Sequence, residues 1–73
     1  MNIFIITFNT THQVIEAERN LKKIFKQAST IPTPEHLSSD CGVSLKVATE
    51  KSKEEIKEIL SVKRIEFKKI APL

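Results

Sequence analysis

The chain opens on an apolar run, residues 2–8, in which Ile3 and Ile5 fall on one face and Phe4, Ile6 and Phe8 on the other. Such β-branched and aromatic residues suit a strand. Two apolar faces are the pattern of a central strand covered on both sides. Thr10-Thr11-His12-Gln13 follows and reads as a capping box, with Thr10 as N-cap and Gln13 at N3. Val14, Ala17, Leu21 and Ile24 then recur at helical spacing, which predicts one buried stripe. Glu16 and Glu18 lie early in that helix and Lys22, Lys23 and Lys26 late, an order that complements the helix dipole.

A second strand is predicted from about Phe25 to Ile31, ended by Pro32-Thr33-Pro34, because proline removes a ladder donor and restricts the residue before it. Thr33 is placed to cap a short helical turn with Pro34 at its first position. Gly42 is read as the point of reversal into a third strand, Val43 to Ala48. There Val43, Leu45 and Val47 alternate with Ser44, Lys46 and Ala48, the mark of a half-buried strand. Ser52-Lys53-Glu54-Glu55 is a second capping box, opening a helix that turns Ile56, Ile59 and Leu60 inward. Arg64 to Ala71 predicts the last strand, with Ile65 and Phe67 on one face and Pro72 closing it.

The order βαββαβ is the split-βαβ, or ferredoxin-like, plan of the α/β (α+β) class. It expects a four-stranded antiparallel sheet with two helices on one face, and a single domain over residues 1–73. This plan leaves the other sheet face open, although the first strand is apolar on both sides. An uncovered patch there would favour a homodimer or a protein partner. The plainer alternative is a small solvent-facing patch lying under lysine stems.

Composition narrows the functional classes. The 73 residues carry a net charge of +3, with four Phe, no Trp or Tyr, one Gly and one Cys. A stacking platform for bases is therefore nearly absent. The groups Lys22-Lys23-Lys26 and Lys63-Arg64-Lys68-Lys69 read as solvated faces, and no nucleic-acid partner is expected. One glycine excludes both the P-loop and the dinucleotide fingerprint. A single cysteine excludes an intramolecular disulfide and any multi-cysteine metal site. The opening apolar run is too short to span a bilayer, which takes ~20 residues. It also lacks the basic flank and cleavage site of a signal peptide. An unpaired thiol fits a reducing compartment, so the expectation is a cytoplasmic protein with no membrane partner.

One segment departs from a generic domain. Ile31-Pro32-Thr33-Pro34-Glu35-His36-Leu37-Ser38-Ser39-Asp40-Cys41-Gly42 holds two of the three prolines, the only Cys and the only Gly. Small hydroxyl residues leave the thiol open, while Pro and Gly restrict the backbone to a defined loop between strands. A thiol presented this way acts as a nucleophile or carries a transferable group. The competing reading of Cys41 is a small buried hydrophobe. His36 is a candidate partner for the thiol, set against an ordinary exposed loop histidine. His12, at a helix start, reads as local in role. Cys41, His36, His12 and Asp40 match no zinc spacing, so no metal and no cofactor are expected.

Thr11-His12, Ala17-Glu18, Pro32-Thr33-Pro34, Ser38-Ser39 and Cys41-Gly42 together resemble the Se/S carrier protein-like family of small domains. The likeness runs from about Ile3 to the last strand, and its loop motif is the specific part. It implies a non-enzymatic carrier in which Cys41 accepts sulfur or selenium as a persulfide or selenopersulfide. It also implies a cysteine desulfurase-type donor and a recipient protein that takes the atom. Pro32, Thr33, Pro34, Ser38, Ser39 and Gly42 would form the presenting loop. Two positions depart from the family pattern. Glu35 stands where a basic residue is expected, and Asp40 replaces a small hydroxyl residue beside the thiol. A neighbouring carboxylate opposes thiolate formation, and no Lys or Arg falls between Gln27 and Leu45 to offset it. The alternative function is a small interaction or dimerisation module in which Cys41 is incidental.

Overall fold

A computed structural model describes residues 2–25, 27–37 and 42–73. The elements are β1 (Asn2–Thr7), α1 (Thr11–Leu21), β2 (Gln27–Pro32), β3 (Val43–Thr49), α2 (Lys53–Val62) and β4 (Lys69–Pro72). The strands form one antiparallel sheet in the order β2-β3-β1-β4. This is the expected ferredoxin-like α+β arrangement.

Strand alternation decides what lies on each face. Phe4 opposes Val47 and Ile6 opposes Leu45, and Ile6 also opposes Ile70 on β4. These five side chains are buried in one cluster with Val14, Ala17 and Leu21 of α1 and Ile56 and Leu60 of α2. Both helices therefore cover the same face. Phe8 and Phe25, on the segments flanking α1, join that cluster.

The helix starts follow their sequence signals with one change. Ser52 and Glu55 form the reciprocal capping box, each bond 3.3 Å. At α1, Thr10 Oγ1 accepts from the Gln13 amide at 3.2 Å as expected. The Gln13 side chain, however, accepts from the Asn9 amide, one residue before the cap. Its amide nitrogen donates to Glu66 at 3.2 Å, tying the start of α1 to the approach to β4.

The expected last strand begins too early. Arg64 takes a left-handed conformation, φ 56°, and the Arg64 and Ile65 amides donate to the Ser61 and Leu60 carbonyls at 3.1 and 2.9 Å. That pair of bonds is a Schellman stop, a turn that usually places glycine where Arg64 stands. The chain must then cross back to β1, so Ile65 and Phe67 pack half-buried against the core without joining the sheet. Contact with β1 resumes where the Lys68 amide donates to the Thr7 carbonyl at 2.7 Å, and ladder pairing starts at Lys69, opposite Thr7. Similarly β2 starts at Gln27, because Phe25 is held at the end of α1 by a 2.8 Å amide bond to the Leu21 carbonyl.

The second sheet face also differs from expectation. Ile5 is 1% exposed, Ser44 is fully buried and Ala48 is 9% exposed, so β3 is covered on both sides. The cover over Ile5 comes from the chain itself. Leu37, in the β2–β3 connection, packs with Ile5 and Ala71 in a second small cluster bordered by Ile31. The uncovered patch expected on this face is absent at Ile5.

Candidate functional site

The connection between β2 and β3 begins as a continuation of their ladder. Pro32 opposes Val43 at the last strand pair. One step further, the Thr33 amide donates to the Gly42 carbonyl at 3.0 Å. The Thr33 hydroxyl lies 2.6 Å from the Ser44 hydroxyl, and Ser44 is buried in β3. Ser44 also opposes Thr7 of β1, whose hydroxyl donates to the Lys69 carbonyl at 3.5 Å. A hydroxyl-bearing row thus crosses the sheet from β1 to the mouth of the loop. Buried hydroxyls persist where they are hydrogen-bonded, and the Thr33–Ser44 contact meets that need.

Thr33 does not cap a helical turn; its hydroxyl is engaged by Ser44. The segment that follows makes a single turn, in which the Leu37 amide donates to the Pro34 carbonyl at 2.9 Å. This turn sets Leu37 down on Ile5 and Ala71. The described part of the loop is consequently held at its base by the Thr33–Gly42 and Thr33–Ser44 contacts and at Leu37 by packing on Ile5 and Ala71.

Gly42 is exposed, its φ is not positive, and a Cβ built on it would meet nothing within 4 Å. The reversal into β3 therefore does not require glycine at this position. Pro32 is exposed at the end of β2, while Thr33 and Pro34 are half-buried. Ser38, Ser39, Asp40 and Cys41, the centre of the expected thiol site, lie outside the described residues.

Glu35 and His36 are exposed on the turn. His12 belongs elsewhere: its Nε2 lies 3.1 Å from Glu16 Oε1 on the exposed surface of α1. Among the described residues no three His, Cys, Asp or Glu side chains converge as metal ligands.

Three residues on this side of the sheet were not singled out in the sequence. Leu37 is the single Leu, Ile, Val or Phe between Ile31 and Val43, a signal of burial inside an otherwise polar loop. Lys46 and Lys69 are the others. Lys46 opposes Ile5 and Lys69 opposes Thr7, which sets both on the sheet face carrying Leu37. Strand parity was the available signal, but it needed the correct start of β4.

Compared with family models, residues 4–72 match the one described as "Putative Se/S carrier protein-like". No curated protein and no solved structure matches the chain. No helix among the described residues is long and apolar enough to cross a membrane.

Proposed function

This chain belongs to the Se/S carrier protein-like family, and on that premise we propose that it is a sulfur or selenium carrier whose working group is the Cys41 thiol. The observation that carries the reading is the pinned base of the β2–β3 loop. Thr33 bonds Gly42, the residue that follows Cys41 in sequence. A carrier needs a thiol held at a defined place beside an open approach. Gly42, next in sequence to the thiol, is exposed and has open space where a side chain would stand.

The transfer step needs no net oxidant. The Cys41 thiolate attacks the outer sulfur of a donor persulfide, forming a new S–S bond as the donor S–S bond breaks. The donor thiolate leaves with the electron pair, and the persulfide proton stays with the transferred sulfur. A recipient thiolate repeats the exchange and regenerates Cys41. Selenium follows the same course through a selenopersulfide. The acid–base work falls to a cysteine desulfurase-type donor and to the recipient, so the domain turns over nothing alone. Lys46 and Lys69 lie on the sheet face against which Leu37 packs.

The test is loading. The reduced protein is incubated with a cysteine desulfurase and cysteine, and intact mass is read for one added sulfur, with Cys41→Ser as control. One sulfur on the native chain and none on the variant supports the carrier. A native thiol that resists both loading and alkylation while the fold is intact sinks it. It would leave the interaction module with an incidental cysteine.

A further inference from the structure

The sheet has two free edges, β2 and β4, and they are not equivalent. The Leu73 amide donates to the Ile3 carbonyl and the Thr33 amide to the Gly42 carbonyl. Both pairs continue the registers of their ladders. In an antiparallel sheet the residues of alternate pairs turn their amide and carbonyl groups toward the partner strand, and the rest turn them away. On β4, residues 69, 71 and 73 therefore face β1, which leaves Ile70 and Pro72 facing outward. Proline has no amide hydrogen, so β4 presents one outward donor between Lys69 and Pro72, flanked by lysines. That edge is blunted in the usual way, by charge and proline.

On β2, residues 27, 29 and 31 face β3, and Ala28 and Thr30 turn both backbone groups outward. No charged residue occurs in Gln27–Pro32. The β2 edge thus retains a donor and an acceptor at Ala28 and Thr30, and its one guard among the described residues is Pro32 at the strand's end.

Helix α1 supplies the flank of this edge. Thr30 Oγ1 donates to Glu18 Oε2 at 2.9 Å, which places the Glu18 side of α1 beside β2. Ile15, Glu18 and Lys22 share that side by spacing. Ile15 is 49% exposed, and Lys22 Nζ lies 4.0 Å from Glu18 Oε1. A two-fold interface requires that each residue meet its complement on an identical surface. Glu18 and Lys22, one turn apart and opposite in charge, meet that requirement when a second α1 runs antiparallel.

We propose that the β2 edge, with the Ile15–Glu18–Lys22 side of α1, is a homodimer interface that joins two copies into one eight-stranded sheet. The two β2 strands run antiparallel about Ser29. Ala28 and Thr30 of each copy exchange amide–carbonyl bonds with Thr30 and Ala28 of the other. Ile15 and the opposite charges of Glu18 and Lys22 close the helix side. Thr33 in one copy then lies eight strand positions from its counterpart, roughly 27 Å at the usual rise per residue. The assembly does not depend on the Cys41 reading.

Sedimentation equilibrium with reductant present tests the proposal on the full chain at concentrations up to roughly 100 µM, since self-association depends on concentration. The native chain should sediment as a reversible dimer. Ser29→Lys puts like charges on the two-fold axis and should weaken the dimer by at least about 10-fold at low salt, partly restored at high salt. Ala28→Pro removes an outward donor without removing a bond to β3, and should give a monomer with unchanged far-UV circular dichroism. Should that variant unfold, Ser29→Lys decides, because Ser29 is exposed. A native monomer throughout that range overturns the proposal. So does a dimer whose dissociation is unchanged in the folded Ser29→Lys variant.

Discussion

Replacing Leu37 with alanine tests whether the β2–β3 loop is part of the folded unit. Leu37 is 6% exposed and lies in a cluster with Ile5 and Ala71, edged by Ile31. Leucine-to-alanine changes in fully enclosed cores cost 2–5 kcal/mol, the spread reflecting how well the site collapses. Here the cluster is small and borders solvent, so the loop can settle inward. The cost therefore falls at the low end, about 2 kcal/mol. For a domain of this size that lowers Tm by about 8–16 °C. Urea denaturation followed by far-UV circular dichroism measures it, provided native and variant share one m value. Leu37→Met serves as the volume-conserving control and should lose less than about 1.5 kcal/mol. A loss below ~0.5 kcal/mol for Leu37→Ala, the range of ordinary surface changes, would show that Leu37 is not the cover over Ile5.

Three further substitutions probe the frame around that loop. Arg64→Gly relieves the left-handed conformation at φ 56°; it should raise stability by about 0.5–1 kcal/mol after the entropy of glycine is counted, and Arg64→Ala should give no such gain. Ser52→Ala removes the capping box of α2 and should cost about 1 kcal/mol by the same urea assay. Gly42→Ala enters open space at a φ that is not positive, so stability should hold within ~0.5 kcal/mol or rise slightly. A loss above ~1 kcal/mol there would mean that the loop base differs from the geometry described.

Local signals carried the elements, and tertiary demands carried the rest. The helical stripe Val14, Ala17, Leu21 became the buried face of α1, and Ser52 with Glu55 capped α2. The two-sided apolar pattern of Ile3–Phe8 correctly placed β1 inside the sheet. The start of β4 was not legible because a left-handed arginine leaves no glycine to mark the stop. Ile65 and Phe67 then look like strand residues, although they pack outside the sheet. The cover on the second face was hidden for a different reason. Leu37 is one apolar residue among polar neighbours, with no periodicity, and its target Ile5 is far away in sequence. Of the candidate site, Thr33, Pro34 and Gly42 fall between the strands as expected, while Pro32 closes β2 instead of opening the loop. The bond from Thr33 to Ser44 was not legible, since Ser44 read as the solvent side of β3.

The second face explains why the loop proposed to carry the thiol also packs against the sheet. A split-βαβ sheet of four strands offers helices for only one side, and β1 is apolar on both. Covering Ile5 requires some other segment, and the connection from β2 to β3 provides it through Leu37. Leu37 supplies the cover, and the same connection carries Cys41. Packing and the proposed chemistry therefore fall on a short stretch of chain. Changes at Pro32, Thr33, Pro34 or Leu37 are expected to alter stability, so lost transfer in such variants would not identify a chemical role. Cys41→Ser, which keeps the side-chain shape and removes the nucleophile, separates the two. Paired with Leu37→Ala, it distinguishes a chain that cannot carry sulfur from one that cannot hold its loop.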